Sequence, residues 1–409
     1  MTPLAPLLAQ GAIKSDRLGL VFALFALLLP MLGLLADKAV VILVIATAVA
    51  GGLAAARTIG WGALPWRIVD RGLALALAAV AAWCLISSAW SFSPGSAAML
   101  ALRVAVLLAV LLYLVALAGL LTAAQRRRVA VALCAGFAVT LLLLIIELVF
   151  VTPIFDMLQG PEKHIYESLS RLNRGVSVLA ILVWPLAALA WTAGRRLPAL
   201  LAPPALLIPV LFSQSSASIL GLATALPAAL LAALGRPAAR LVMAVAVIVT
   251  LFGSPFIASV AQQAGIARST ELQATAQARL HIWHVVTTRI AERPLFGWGF
   301  DASPNLPTDD FEPFREGGKV IPSHPHNGAL QVMVETGLVG SLLVLALLVL
   351  VARRIDRLEG PPRACAVAML VTVLGVAATG YGITQSHWLA VIGAAAAVFA
   401  AVRQDAAEG

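Results

Sequence analysis

Leu141-Leu142-Leu143-Leu144-Ile145-Ile146-Glu147-Leu148-Val149-Phe150 and Leu342-Leu343-Val344-Leu345-Ala346-Leu347-Leu348-Val349-Leu350-Val351 decide the fold. Glu147 is the one polar residue in either run. A membrane barrel strand alternates apolar and polar residues, and a helix on a soluble domain carries a polar stripe. Runs that are apolar all round describe helices with lipid as solvent, where the backbone must satisfy its own hydrogen bonds. The whole chain agrees: 61% of it is hydrophobic and 11% charged, against about 45–50% and about 25% for soluble domains.

A span needs about 20 mainly apolar residues. Working outward from the two runs, spans are expected at 18–36, 39–56, 72–90, 97–121, 129–151, 175–193, 197–213, 216–234, 240–258, 328–351, 364–381 and 383–402. The least regular are 197–213, with Pro203, Pro204 and Pro209, and the closely spaced last pair. The fold class is therefore an all-α polytopic membrane protein of about twelve transmembrane helices. It divides into helices 1–9 (1–258), a long polar loop with its own helical content (259–327), and helices 10–12 (328–409). The first apolar run, Leu18–Leu35, lacks a small-residue cleavage site and is expected to be a retained helix. Cys84, Cys134 and Cys365 all sit within apolar runs, with no metal or disulfide spacing.

The net charge of +9 would suggest nucleic acid in a soluble protein. Here it follows the positive-inside rule, and no nucleic-acid partner is expected. With Lys14 and Arg17 on the cytoplasmic side, the inside loops hold Arg57, Arg67, Arg71, Arg126–Arg128, Arg195, Arg196, Arg236, Arg240, Arg353, Arg354, Arg357 and Arg363, and the tail brings Arg403. Two polar segments then face outward, 152–174 and 259–327. Long loops carry function or are disordered, and the aromatic content of 259–327 favours function. Anionic membrane lipid or a phosphorylated substrate could use some of the basic excess.

Within the long loop, Leu272, Ala276, Leu280, Trp283, Val286 and Ile290 recur at helical spacing and predict a helix over Thr270–Arg293, stopped by Pro294. Arg279 and Trp283 project from one side of it. An interfacial helix with snorkelling arginines is the plainer reading, above all for Arg289 and Arg293. Gly297 and Gly299 permit a tight turn. In Ser323-His324-Pro325-His326-Asn327-Gly328 three readings stand: a metal pair lacking a third ligand, a solvated loop end, or a general base, since histidine titrates near neutrality. Asn327 is placed to cap the next helix. Asp309-Asp310 admits a metal reading or simple solvation. Arg103 and Glu147 are charges inside apolar runs and hence functional candidates: Arg103 could reach a lipid phosphate or snorkel, and Glu147 could pair with an arginine. Gln214, Ser215, Ser216 and Ser218 form a polar cluster at an outward end.

Arg279-Leu280-His281-Ile282-Trp283, Arg293-Pro294-Leu295-Phe296-Gly297-Trp298-Gly299, His326-Asn327 and Gln331-Val332-Met333-Val334-Glu335-Thr336-Gly337-Leu338-Val339-Gly340 together resemble the signature of the O-antigen ligase and polymerase superfamily. That resemblance implies a metal-independent, cofactor-free glycosyltransferase of the bacterial inner membrane, multi-pass, with its active site and long loop in the periplasm. Its implied donor is undecaprenyl-diphosphate-linked glycan. The ligase implies lipid A–core as acceptor, hence lipopolysaccharide biosynthesis; a polymerase or a protein O-oligosaccharyltransferase are the neighbouring readings. A lipid-linked glycan transporter is the reading from another class, though transporters gather charge at the midplane. Many members carry Ser-Arg-Gly at the end of a middle span. Here the place reads Gln214-Ser215-Ser216-Ala217, and Arg174 in Leu172-Asn173-Arg174-Gly175 is the substitute. On this resemblance His326 is the base, and Arg279 and Arg174 stabilise the leaving diphosphate, with Arg103, Arg289 and Lys319 as further candidates. Gln214, Ser216, Trp283, His324 and Asn327 would line the substrate cavity.

Overall fold

The computed structural model describes residues 16–59, 68–162, 164–266, 274–311 and 319–402. The expectations placed on Lys14, Arg67, Leu272 and Arg403 fall outside them. Every regular element described is helical. In order they are α1 (Arg17–Leu35), α2 (Ala39–Ile59), α3 (Arg71–Ser87), α4 (Pro94–Ala118), α5 (Ala123–Val149), α6 (Pro153–Gln159), α7 (Ile165–Ser170), α8 (Asn173–Thr192), α9 (Arg196–Phe212), α10 (Ser216–Ala233), α11 (Arg236–Ile248), α12 (Ser254–Gln263), α13 (Ala274–Glu292), α14 (Gly328–Asp356), α15 (Gly360–Thr379) and α16 (Ser386–Val402). A single π turn, Val249–Gly253, joins α11 to α12 within one span.

Among the described residues, ten helices are long and apolar enough to cross a membrane. The other two expected spans, 197–213 and 383–402, form the 17-residue helices α9 and α16. At 1.5 Å per residue each is about 26 Å long, the short end of a spanning length. The ion pairs Arg354–Asp70, Arg240–Asp356 (2.8 Å), Arg236–Glu359 (3.0 Å) and Arg128–Asp16 join helix ends on the side of the bundle expected to be cytoplasmic. His387, at the start of α16, approaches Asp37 (3.8 Å) at the other end.

Helix starts follow from local chemistry. Asp70 accepts from the Leu73 N–H, Thr122 and Gln125 form a reciprocal capping box, and Asn327 accepts from the Ala329 and Leu330 N–H groups. The bundle is organised around α8, whose continuous run Gly175–Pro185 is buried on every face. Trp184 Nε1 donates to Thr372 Oγ1 (2.8 Å), tying α8 to α15. α10 and α15 approach closely because Gly221 and Gly375 face each other. Ile42, Leu75, Val106, Phe212 and Leu230 point outward, an apolar belt that needs lipid around it.

Glu147 answers its intramembrane position differently from expectation. Among the described residues no arginine pairs with it. It is fully buried and accepts from the Ile154 N–H (2.8 Å), and Phe155 lies at the edge of the same reach (3.5 Å). The carboxylate thereby caps α6, which Val151 (φ 55°) and Thr152 (φ 63°) fold back onto the end of α5.

Candidate active site

The loop between α12 and α14 is built on α13. Ile282, Val285, Val286 and Ile290 pack against Leu306, Val320 and Ile321 of the loop and against Leu330 and Val334 of α14. This small core lies apart from the main one. Arg289 serves it: its guanidinium donates to the Pro307 carbonyl (2.8 Å) and to Asp310 (2.8 Å), pairs with Glu292, and lies over the Phe311 ring. Among the diphosphate candidates, then, Arg289 is occupied in holding the loop, and Asp310 is its partner. Arg293 stacks on Trp298 at 4.0 Å, consistent with a structural role.

The Pro-Leu-Phe-Gly-Trp-Gly turn and the Glu-Thr-Gly of the following helix are each other's partners. Gly337 breaks α14 with φ 67° and ψ −164°, a region essentially reserved for glycine. In an unbroken helix, Leu338 and Val339 would donate to the Val334 and Glu335 carbonyls. Instead Leu338 donates to the Pro294 carbonyl (2.8 Å) and Val339 to that of Leu295 (3.3 Å). The released Val334 and Glu335 carbonyls accept from Trp298 (2.8 Å) and Gly299 (2.9 Å). Two helical bonds are exchanged for four bonds to the loop. Contact is so close that a Cβ on Gly297 would sit 2.6 Å from the Glu335 carbonyl carbon. The Glu335 side chain, fully buried, reinforces the seam by accepting from the Asp301 N–H (3.1 Å), Ser303 Oγ and Gln331 Nε2 (3.1 Å).

The histidines stand at the far end of the loop. Trp283 Nε1 donates to the Pro325 carbonyl (2.9 Å), so α13 fixes the segment that carries them. Asn327 caps α14, as its position predicts. Between these anchors His326 is held with φ 55°, an uncommon conformation for a side-chain-bearing residue and one that often marks functional positions. Its Nδ1 lies 3.2 Å from the Gly380 carbonyl. Only a protonated Nδ1 can make that bond, so the tautomer leaves the Nε2 lone pair available. Burial lowers the His326 pKa; the Gly380 carbonyl opposes this and the Arg279 charge adds to it. His324, its ring 4.3 Å from that of His326, is pushed down to about 4, chiefly by burial. Both are therefore neutral at pH 7.

Arg279 is half-buried on α13, close enough for its charge to act on both histidines. Arg174, at the start of α8, pairs with Asp37 (3.1 Å) and remains about half exposed. Asp37 also faces His387, whose charge in turn reaches His324. The structure thus gathers Arg279, His326, His324, His387, Asp37 and Arg174 around one end of the bundle. Sequence reasoning passed over Asp37 and His387, which carry no motif and meet only through tertiary packing.

The remaining candidates separate. Ser215 and Ser218, with Ser177 and Tyr381, form a buried hydroxyl chain between α8, α10 and the α15–α16 loop, whereas Ser216 is exposed and Gln214 half-buried beside them. Lys319 lines a cavity of about 370 Å³ with Thr308, Asp309 and Phe311. Arg103 lines a different one, of about 400 Å³, with Asp301, Thr384 and Gln385.

Residues 204–345 match the O-antigen ligase family model, a segment that encloses every residue from Arg279 to Gly340 on which the resemblance rests. Arg103 and Arg174 lie outside it. A Rickettsia felis protein named "Putative polysaccharide ligase" is 28% identical over 53% of this chain and 55% of its own length. A similarly named protein of Rickettsia prowazekii is 26% identical over 75% of each. The chain spans about half the length of most of the curated relatives it matches. With ten helices among the described residues long and apolar enough to cross a membrane, the chain is a multi-pass membrane protein, and its residues 204–345 are similar to the O-antigen ligase family.

Proposed function

We propose that the chain is an O-antigen ligase of the bacterial inner membrane, working at its periplasmic face. It transfers glycan from undecaprenyl diphosphate to a sugar hydroxyl of lipid A–core, with inversion and without a metal. The observation that carries this reading is the His326–Gly380 hydrogen bond: Nδ1–H donates to the Gly380 carbonyl, which leaves Nε2 as the basic nitrogen of a ring within reach of the Arg279 charge. A backbone carbonyl here does what a carboxylate does for other catalytic histidines, fixing ring and tautomer.

In the reaction, the acceptor hydroxyl gives its proton to His326 Nε2 as its oxygen attacks the anomeric carbon. The bond from that carbon to the diphosphate oxygen breaks, and the electron pair leaves with undecaprenyl diphosphate. One displacement inverts the anomeric centre. Charge grows on the diphosphate as the bond breaks, and fixed guanidinium groups oppose it better than water can. Arg279 is assigned this role, with Arg174 supporting it from the Asp37 side. Arg289 is left out because its donors are engaged, and Arg103 because its cavity contains a carboxylate. Gln214, Trp283, His324 and Asn327 shape and hold the walls.

The test is reconstitution of the full chain in liposomes containing lipid A–core and diphosphate-linked glycan, with no ion gradient. Glycan joined to the core identifies a ligase. Glycan joined to a second lipid-linked glycan would identify a polymerase, and movement without a new bond a transporter. Normal ligation by folded His326→Ala would refute the base.

A further inference from the structure

The cavity beside Arg103 is not used by the mechanism above, and its chemistry differs from that of a diphosphate site. Its lining is Met99, Leu100 and Arg103 of α4, Asp301 of the loop, and Thr384 and Gln385 just before α16. Arg103 stands in an apolar helix nine residues past Pro94, about 14 Å along its axis. The Arg103 charge acts on Asp301, yet no ion pair closes between them, and neither side chain is bonded to another described residue. Arg103 is exposed and Asp301 half-buried, so opposite charges that line one cavity without pairing leave a donor and an acceptor both available to an occupant.

The walls are fixed. Asp301 is held at φ 62°, and its N–H is bound by the buried Glu335 carboxylate. Glu335 accepts from Gln331 Nε2, and Gln331 Oε1 accepts from the Ile383 N–H (2.9 Å). One buried chain, Asp301–Glu335–Gln331–Ile383, therefore joins both polar walls. The second wall, residues 380–385, is the loop whose Gly380 carbonyl orients His326. The cavity is preformed and built onto the loop that positions the base.

We propose that this cavity is a subsite for a neutral sugar ring. Asp301 accepts from ring hydroxyls, Arg103 and Gln385 donate to ring or hydroxyl oxygens, and Met99 and Leu100 lie against the C–H face. A carboxylate at hydrogen-bonding range disfavours a phosphate, whose charge it would repel, whereas a polyol uses acceptor and donor together. At about 400 Å³ the volume lies in the small-ligand range and admits one or two rings. The proposal rests on the glycan-transfer reading, which supplies the sugar-bearing substrate, and either acceptor core or donor glycan can be its source.

The full chain in nanodiscs is titrated with methyl glucoside, methyl galactoside, methyl mannoside and, separately, inorganic pyrophosphate, using ligand-observed NMR. Saturable binding of a glycoside is expected, weakened roughly tenfold to a hundredfold in Asp301→Asn and in Gln385→Leu and retained in His326→Ala. Absence of glycoside binding to the wild type, equal binding by both variants, or tighter pyrophosphate binding in Asp301→Asn with competition against the glycoside would overturn it. Glycoside binding without lipid-linked transfer would sink the ligase reading and leave the subsite standing. Transfer with an unchanged KM in Asp301→Asn would sink the subsite alone. In the transfer assay, a raised KM for lipid A–core places the ring on the acceptor; a raised KM for the diphosphate-linked glycan places it on the donor.

Discussion

Replacing Gly337 by alanine tests the joint between loop and membrane helix. At φ 67° and ψ −164° an alanine costs about 1–3 kcal/mol of backbone strain. Its Cβ would also lie 2.3 Å from the Leu295 carbonyl oxygen and 2.6 Å from the Gly297 nitrogen, so the loop must move. The alternative is for α14 to straighten. It then recovers two helical bonds and loses the four to residues 294–299. At about 0.6–1 kcal/mol per bond in a membrane protein, that is a net loss of about 1–2 kcal/mol. Disturbing the Glu335 clamp loses at least one further bond, about 1 kcal/mol. Either route costs about 2–3 kcal/mol, which opens the seam roughly 30- to 150-fold more often. Hydrogen exchange in nanodiscs should show faster exchange across residues 294–303, and glycan transfer should fall with the closed population. Gly95→Ala, where the added methyl meets nothing within 4 Å, is the control and should change neither. Wild-type protection of 294–303 with wild-type turnover in Gly337→Ala would refute the account of the kink.

The pH dependence of kcat/KM should have an acidic limb centred below 6.5, because burial lowers the His326 pKa and the base works only when neutral; a limb at or above 6.5 would contradict the assignment, and His326→Ala should cost about 10²–10⁴-fold. His324 makes a separate prediction about stability. Its folded pKa of about 4 lies below the ordinary 6.5, so as pH falls the unfolded chain takes the proton first. Its stabilising contribution is complete above 6.5 and lost progressively down to about 4, on the order of 3 kcal/mol in all. The thermal midpoint in nanodiscs should therefore drop between pH 7 and 4.5, less steeply in His324→Phe; equal slopes would count against it. Arg289→Ala should lower the midpoint by an amount on the order of 2 kcal/mol, since it releases Pro307 and Asp310, whereas Arg279→Ala should cut turnover at least about 10²-fold with a smaller shift. The reverse pattern would exchange their roles.

Much of the fold was legible because lipid imposes a one-dimensional rule. Uninterrupted apolar runs such as 141–150 and 342–351 have no other stable home, so ten of the twelve expected spans, among the described residues, and their rough bounds could be read directly. α9 and α16 were harder because prolines in the one and a short run in the other weaken the signal. The helix of the loop, its stop at Pro294, and the Asn327 cap were likewise local and readable.

The site divides along the same line. The sequence by itself determined which residue types were to hand: His326 at the edge of a span, Arg279 one turn before Trp283, and a glycine-rich turn followed by Glu335-Thr336-Gly337. Their meaning was decided in three dimensions. The turn and the Glu-Thr-Gly bind each other through a broken helix, Arg289 is taken up by Pro307, Glu292 and Asp310, and Glu147 caps α6 rather than meeting an arginine. Asp301, Asp37, His387 and Gln385 have no motif of their own. They matter because helices distant in sequence end at the same surface, and hydrogen bonds and charge act over ångströms of space rather than positions along a chain.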